Sequence, residues 1–226
     1  MTPGKLFVIE GTDASGKATQ TRMLLERLAR EGIPASSISF PRYETPTGRI
    51  VAGPYLGKEE FGKSFFPEGA ASVNPEIASL YFAADRRAAR DEMLEILESG
   101  RHLVLDRYVS SNMAHQGGKI EDPEERKKLL DFLESLEYGL LKLPRPNGTA
   151  LLYVPTKITQ ELIQKRGSSD GHESSQHHLT MSEKVYMQLV SRGFWGIVEC
   201  VNKKGEMRTR EDIHEEVFGH FKSLLD

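Results

Sequence analysis

The residues best suited to chemistry stand near the start of the chain, where residues 11–17 follow the pattern G-x-x-x-x-G-K. Four apolar residues, 6–9, predict a buried strand before this turn, and the apolar spacing after it predicts a helix. A glycine-rich turn between strand and helix is typical of a phosphate-binding loop, because backbone N–H groups and the helix N-terminus face the oxygens. Lys17 adds a positive charge. The pattern therefore predicts a nucleoside-triphosphate site.

One position departs from the usual form of such loops. Ala18 stands where a hydroxyl commonly binds magnesium, and the neighbouring Thr19 points in another direction on a helix. The alternative interpretation is a glycine-rich turn with a solvated lysine, and the agreement of strand, loop and helix argues against it. The residues assigned to the nucleotide site are Gly11, Thr12, Asp13, Ala14, Ser15, Gly16, Lys17, Ala18 and Thr19.

Further charged residues follow two other predicted strands. Ligands of a parallel sheet gather at the carboxyl ends of its strands. Asp106 ends a run of apolar residues, and an aspartate there commonly anchors magnesium or water in phosphoryl-transfer enzymes. In a motor-type ATPase, an acidic residue that activates water would follow this aspartate. Here Arg107 follows it, and an arginine is better suited to binding a second phosphate group. Arg42, in the loop after the second strand, adds a cation at the same edge.

The long helix predicted from residue 74 to about 98 adds an aromatic and a cation. Phe82 and Arg86 are four residues apart and share a helix face, so they could stack a base and hold a phosphate or carbonyl. Spacing alone favours the interpretation that Phe82 is a core residue and that Arg86 caps it. Ser111 and Asn112 could contact a base edge, or could cap a helix.

A hydrophilic segment at about 166–178 predicts a mobile lid, because it is too polar to be core. Its candidates for chemistry are Arg166, Asp170, His172, Glu173, His177 and His178. Three histidines could bind a metal ion, but their spacing matches no recognised site. We therefore favour a solvated loop that closes over nucleotide, with Arg166 reaching the transferred phosphoryl group.

Strands and helices alternate along the whole chain, which predicts a doubly wound parallel α/β sheet. The predicted strands are 6–9, 35–40, 102–106, 149–154 and 195–201, and the main helices are 74–98, 122–140, 158–166 and 180–192, with a closing helix from 209. We find no internal repeat or linker. The sequence predicts one domain over residues 1–226.

Composition excludes several classes of function. A net charge of −3 gives no bulk attraction to a nucleic acid polymer or an anionic membrane. No apolar run approaches the roughly 20 residues of a transmembrane helix, and no secretory signal precedes the first strand. The single cysteine, Cys200, lies in an apolar run and favours a reducing cytoplasm.

Taken together, these residues resemble the thymidylate kinase family of nucleoside monophosphate kinases, across nearly the whole chain. The matching segments are 10–20, 40–42, 82–86, 106–112 and the lid-like 166–173. The resemblance implies a P-loop kinase fold, a five-stranded parallel sheet flanked by helices, with a short mobile lid. It also reverses the core interpretation of Phe82 and Arg86.

The resemblance implies a role for each matched residue. Asp13 would contact the sugar 3′-hydroxyl, and Phe82 would stack on thymine. Arg42 and Arg107 would hold the monophosphate, while Arg86 and Asn112 would address the carbonyl and imide edge of the base. The implied substrate-binding set is Asp13, Arg42, Phe82, Arg86, Arg107, Ser111, Asn112, His115 and Gln116, and the implied catalytic set is Lys17, Arg107, Asp13 and Arg166.

His115 stands where a tyrosine that crowds the sugar 2′ position is common in the family, which bears on the selection of deoxyribose. Ala14 lacks the basic side chain that some members carry in the loop, so the transfer cation is expected from the lid. Ala18 offers no ligand atom for Mg²⁺, and Asp106 is the protein ligand expected for that ion.

The implied reaction is transfer of the γ-phosphoryl group of ATP to dTMP with Mg²⁺, in a cytoplasmic homodimer. A kinase of another pyrimidine nucleotide, such as dUMP or UMP, shares every phosphate contact. A nucleotide-binding switch or regulatory ATPase is a third possibility. The arginine after Asp106 and the lack of an N-K-x-D guanine motif argue against that third class.

Overall fold

The fold was described from a computed structural model, which places residues 2–166, 176–191 and 195–225, with the backbone alone for 163–166. Five parallel strands form one sheet in the order β2-β3-β1-β4-β5. The strands are β1 (Leu6–Gly11), β2 (Ala35–Ser39), β3 (His102–Asp106), β4 (Gly148–Tyr153) and β5 (Trp195–Glu199). The predicted fold class is confirmed.

The register of the sheet explains where a site can form. Ile9 of β1 and Ser39 of β2 both pair with Asp106 of β3, and Gly11 pairs with Leu152 of β4. The turns that follow β1, β2 and β3 therefore emerge at one edge. The phosphate-binding loop, Arg42 and Arg107 follow those strands, so all three reach this edge, as predicted from the carboxyl-end rule.

Eight helices connect and flank the described strands. They are α1 (Lys17–Arg30), α2 (Pro46–Ile50), α3 (Pro75–Glu98), α4 (Val109–Gly117), α5 (Pro123–Glu134), α6 (Thr156–Arg166), α7 (Gln176–Val190) and α8 (Arg210–Lys222). Helix α3 begins where predicted, because Asn74 accepts hydrogen bonds from the N–H groups of Glu76 and Ile77 at 2.9 and 3.2 Å. Asp122 caps α5 in the same way.

The structure refines two of the predicted segments. Residues 176–178, assigned to the lid, form the first turn of α7, and His178 is buried there because it packs on the ring of His115. The predicted helical stretch 122–140 does reach Leu140, but α5 ends at Glu134 and the remainder, Ser135–Leu140, is a π-helical turn. That turn carries the buried Glu137, which belongs to the site described below.

The core has one layer on each face of the sheet. Side chains alternate along β1, so Leu6 and Val8 pack with α3, α4, α5 and α7, while Phe7 and Ile9 pack with α1 and α8. Cys200 is buried just beyond β5, and burial raises its thiol pKa to about 12, so it is a packing residue. Among the described residues, no helix is both long and apolar enough to cross a membrane.

Candidate active site

The loop between β1 and α1 has the backbone shape of a phosphate cradle. Gly11 and Gly16 have φ angles of +154° and +89°, and Gly16 is the residue that precedes α1. A Cβ on Gly11 would lie 2.7 Å from the carbonyl oxygen of Leu152, so only glycine fits there. The loop therefore places the N-terminus of a 14-residue helix toward a concave turn, as anion binding requires.

Lys17 lies in this loop as a buried residue, which argues against the alternative of a solvated lysine. It is 7% exposed, and its Nζ donates to the Thr12 carbonyl at 2.7 Å and to Ser15 Oγ at 3.4 Å. Burial, with a smaller effect of Arg107, lowers the pKa of Lys17 to about 8. The lysine is charged at pH 7, and phosphate oxygens would replace the loop oxygens that it now contacts.

The lowered pKa predicts a pH dependence of nucleotide binding. Bound phosphate favours the charged amine and raises its pKa, so affinity is full below pH 8 and falls as the pH rises above it. We expect the Kd for ATP to increase up to about tenfold per pH unit between pH 8 and 9.5. Calorimetry in buffers of different ionisation enthalpy checks this, because binding at pH 9 must then take up a proton. A Kd that is constant to pH 9.5, without proton uptake, would contradict it.

Arg107 joins the phosphate loop to the end of β3. Its guanidinium forms an ion pair with Asp13, and its Nη1 lies 3.4 Å from both the Gly11 carbonyl and Ser111 Oγ. Burial is the largest single influence on Arg107 and would lower its pKa, but Asp13 and the other negative groups around it, among them Asp106 and Glu10, together outweigh burial and raise the pKa. The residue has a φ of +67°, a costly conformation for a side chain of this size. Two residues that the sequence analysis assigned to catalysis are thus brought together.

Glu10 organises this junction, and the sequence analysis gave it no role. Its fully buried carboxylate accepts hydrogen bonds from the N–H groups of Tyr108 and Ser111 at 2.9 and 3.0 Å. It also accepts from Ser111 Oγ at 2.6 Å and from the Tyr186 hydroxyl at 3.1 Å. A carboxylate thus satisfies the N-terminus of α4. An acidic residue inside an apolar strand was the available signal.

A cleft opens beside the Arg107–Asp13 pair. It brings together most of the predicted substrate-binding set. Its lining residues are Asp13, Phe40, Pro41, Tyr43, Leu56, Phe82, Asp85, Arg86, Arg107, Tyr108, Ser111, Asn112, His115 and Gln116. Phe82 forms one wall, and Tyr55 packs edge-on against it at 5.5 Å between ring centroids, so an aromatic face is available to stack a base.

The far end of the cleft contains unpaired polar atoms. Asn112 Oδ1 and both amide atoms of Gln116 are buried without a hydrogen-bond partner among the described residues. Such atoms cost free energy unless a ligand or water satisfies them. Arg86 is 2% exposed here and forms a bidentate ion pair with Glu137, at 2.5 Å for both contacts. This end of the cleft therefore suits a ligand edge with both donors and acceptors.

Arg42 occupies a different position from the one implied for a monophosphate ligand. Its Nη2 pairs with Glu92 at 3.0 Å, and the side chain does not line the cleft among the described residues. The backbone of its loop is fixed by Asp85, which accepts from the Arg42 N–H and from Thr47 Oγ1, both at 2.8 Å. Asp85 was not among the predicted site residues.

His115 lines the cleft and contacts His178 of α7. Their Nδ1 and Nε2 atoms are 3.3 Å apart and the rings stack at 5.5 Å. Burial lowers the pKa of His115 to about 3 and that of His178 to about 4, so both rings are neutral at pH 7. No cluster of three or more metal-binding side chains occurs within 2–166, 176–191 and 195–225. His172, Asp170 and Glu173 lie outside those ranges.

The structure describes the two helices on either side of the predicted lid, α6 and α7. Helix α6 ends at Arg166, whose side chain is not described, and residues 167–175 lie outside the described residues. Glu183 of α7 accepts from the Tyr153 hydroxyl and from the Thr156 N–H, both at 2.8 Å, which joins α7 to the start of α6. The two helices that border the segment are therefore anchored to each other.

The residues at the end of β3 fit a divalent cation held mainly by phosphate oxygens. Asp106 is 8% exposed at the carboxyl end of the strand. It lies close enough to Lys17 for its carboxylate to raise the pKa of that lysine, against the larger effect of burial. Ala18 is exposed at the start of α1 and offers no ligand atom. An oxygen donor with space for phosphate and water is the arrangement that Mg²⁺ prefers in such sites.

Comparison with known proteins agrees with this geometry. The sequence profile of the thymidylate kinase family matches residues 9–211. A thymidylate kinase of Dictyostelium discoideum is 27% identical over 222 residues, covering 97% of this chain and 86% of that protein. The human thymidylate kinase is 31% identical over 170 residues, covering 75% and 68%. A solved thymidylate kinase structure from Candida albicans shares the fold, with a TM-score of 0.73 over 98% and 92% of the chains at 22% identity. This chain belongs to the thymidylate kinase family.

Proposed function

We propose that this protein transfers the γ-phosphoryl group of ATP to dTMP, giving ADP and dTDP. The main observation in support is the Arg107–Asp13 ion pair, which lies between the phosphate-binding loop and the cleft. The far end of that cleft contains buried amide atoms without a hydrogen-bond partner among the described residues. A triphosphate in the loop and a nucleotide in the cleft would then meet at Arg107. Family membership supports the same substrates.

Catalysis in this arrangement is positioning and charge neutralisation. Lys17 and Arg107 offset negative charge on the transferred group, and Asp13 holds Arg107 or a sugar hydroxyl. Asp106 would hold Mg²⁺, which would offset part of the negative charge of the bound triphosphate. We assign a further cation to Arg166 and closure over the nucleotide to the lid at about 166–178, which excludes water.

The other proposals follow from the family and the composition. We treat residues 1–226 as one kinase domain, in a reducing compartment such as the cytoplasm. We also propose a homodimer. Its support is the outer face of α3, where Ile77 and Leu80 are 51% and 49% exposed and three residues apart. Light scattering during gel filtration measures the molar mass in solution and so tests whether the protein is a dimer.

A coupled assay of ADP release tests the function. We expect release only when a nucleoside monophosphate is present, with dTMP the best acceptor in a panel that includes dUMP, UMP and dCMP. ADP release without an acceptor would support the regulatory ATPase instead. Faster release with UMP or dUMP would assign the chain to another pyrimidine nucleotide.

The position of His115 predicts how strictly deoxyribose is selected. An imidazole is shorter than a tyrosine ring and can hydrogen-bond, so it excludes a 2′-hydroxyl less strongly. We expect measurable phosphorylation of 5-methyl-UMP, and suppression of it by His115→Tyr. Because His178 packs on His115, His115→Tyr is made with His178→Ala to leave room for the ring, and His178→Ala alone is the control. If the wild type ignores the ribonucleotide and the variants behave identically, His115 does not select the sugar.

A further inference from the structure

Glu137 is a buried acid at the far end of the cleft. The π-helical turn Ser135–Leu140 carries it, and its side chain is 0% exposed. Its two oxygens accept hydrogen bonds from Nε and Nη2 of Arg86, and Oε1 also accepts from Asn112 Nδ2 at 3.0 Å. One carboxylate thus contacts two residues that line the cleft.

The Glu137 carboxylate and the Ser79 carbonyl together fix the orientation of the Asn112 amide. A carboxylate only accepts hydrogen bonds, so it must face the NH₂ group of the amide and not its oxygen. The Ser79 carbonyl accepts from the same Nδ2 at 3.2 Å. The NH₂ group is therefore used within the protein, and Oδ1 remains as a buried acceptor without a partner among the described residues.

The same contact orients Arg86. Its Nε and Nη2 edge is occupied by Glu137, and no described residue accepts from the remaining nitrogen, Nη1. A guanidinium only donates, so this nitrogen presents N–H groups to whatever fills the cleft. Glu137 therefore places a donor from Arg86 and an acceptor from Asn112 at the same end of the cleft.

We propose that Glu137 is a positioning residue that sets this donor and acceptor order and so selects a pyrimidine with a 4-carbonyl and an N3–H over one with a 4-amino group. Thymine and uracil offer an acceptor at O4 beside a donor at N3. Cytosine offers a donor at N4 beside an acceptor at N3, the reverse order. The inference deepens the proposed function and rests on the acceptor being a pyrimidine monophosphate.

A purely stabilising role accounts less well for the arrangement. Buried ion pairs are often no more stabilising than apolar residues of similar volume, because both charges must leave water. The added contact to Asn112 does more than pair Arg86: it fixes which amide atom faces the cleft. Glu134, three residues earlier, forms an exposed pair with Arg145 at 2.9 Å and provides a matched control.

The test replaces Glu137 by glutamine and compares two acceptors. Glutamine is neutral and can donate as well as accept, so it no longer neutralises Arg86, and only the Ser79 carbonyl is left to orient the Asn112 amide. We expect kcat/KM for dTMP to fall on the order of 10- to 100-fold, the cost of a hydrogen bond to a charged group. The loss for dCMP should be smaller, so the dTMP to dCMP ratio falls at least about tenfold. The KM for ATP should stay within about twofold, and Glu134→Gln should match wild type in every value.

A ratio that is unchanged because dTMP and dCMP lose activity equally would overturn the proposal and leave Glu137 a structural role. A second variant, Arg86→Met with Glu137→Leu, covers the case in which Glu137→Gln does not fold. It removes both buried charges together and is expected to fold. It should lose the preference for dTMP over dCMP, and retention of that preference would also overturn the proposal.

The proposed function can be disproved independently of the proposed role of Glu137. Wild-type ADP release with dTMP tests the function, whereas the dTMP to dCMP ratio tests the role of Glu137. Thermal shift with each monophosphate alone needs no turnover. If wild type binds dTMP without phosphorylating it, the function fails, and a larger Tm shift with dTMP than with dCMP, reduced in Glu137→Gln, still supports the inference.

Discussion

Replacing Lys17 by alanine is expected to lower kcat about a thousandfold or more. A single arginine that stabilises the transferred phosphoryl group supplies a factor of about 10³–10⁵, and a lysine in the phosphate loop acts on the same charge. Lys17 is buried within that loop, so bulk water does not screen its charge. Steady-state ADP release with dTMP measures the loss.

The variant is expected to stay folded. Burial lowers the pKa of Lys17 from 10.5 to about 8, so the folded state disfavours the charged amine relative to the unfolded chain. At pH 7 this shift counts against stability, and the cost disappears as the pH rises through 8 toward 10.5. Alanine removes the cost, so the Tm at pH 7 should equal or exceed that of wild type. Between pH 7 and 9.5, wild type should gain stability relative to the variant.

Lys204→Ala is the control for this experiment, because Lys204 is an exposed lysine in the turn before α8. It should keep full activity. If Lys17→Ala retained turnover within about tenfold of wild type, the loop would not be the phosphate site. A large fall in Tm would instead mean that Lys17 contributes to packing, against the pKa argument.

The parts of the structure that the sequence predicted are those set by local patterns. The strand before Gly11 and the cap at Asn74 depend on neighbouring residues, so spacing and residue type suffice to place them. The alternation of strand and helix then predicts parallel strands, whose carboxyl ends lie at one edge of the sheet. This is why the meeting of Asp13 and Arg107 at one edge could be foreseen.

The missed features depend on residues that are far apart in the chain. Glu137 contacts Arg86 across 51 positions, and Glu10 contacts Tyr186 across 176. No local pattern encodes such contacts, so the partners of these two carboxylates could not be predicted from the sequence. His178 was assigned to a solvated lid because its neighbours are polar, but it packs on His115.

Arg107→Ala is expected to weaken the binding of dTMP far more than the binding of ATP. The guanidinium stands where loop and cleft meet, and its charge-assisted bidentate contact to a monophosphate contributes on the order of 1.5–3 kcal/mol. The KM for dTMP should therefore rise about 10- to 100-fold, while the KM for ATP changes less than about threefold. Titration of each substrate with the other saturating measures both values.

Two further variants separate charge from geometry at this position. Arg107→Lys keeps the charge but loses the planar fork, so it should recover only part of the affinity for dTMP. Arg42→Ala removes a nearby arginine that pairs with Glu92 outside the cleft, and it should have the smaller effect on the KM for dTMP. Removing Arg107 also leaves the Asp13 carboxylate without its ion pair, so Asp13→Asn is combined with Arg107→Ala to remove that repulsion. Equal losses for dTMP and ATP, in both the single and the double variant, would mean that Arg107 serves the donor or the transition state and not the acceptor phosphate.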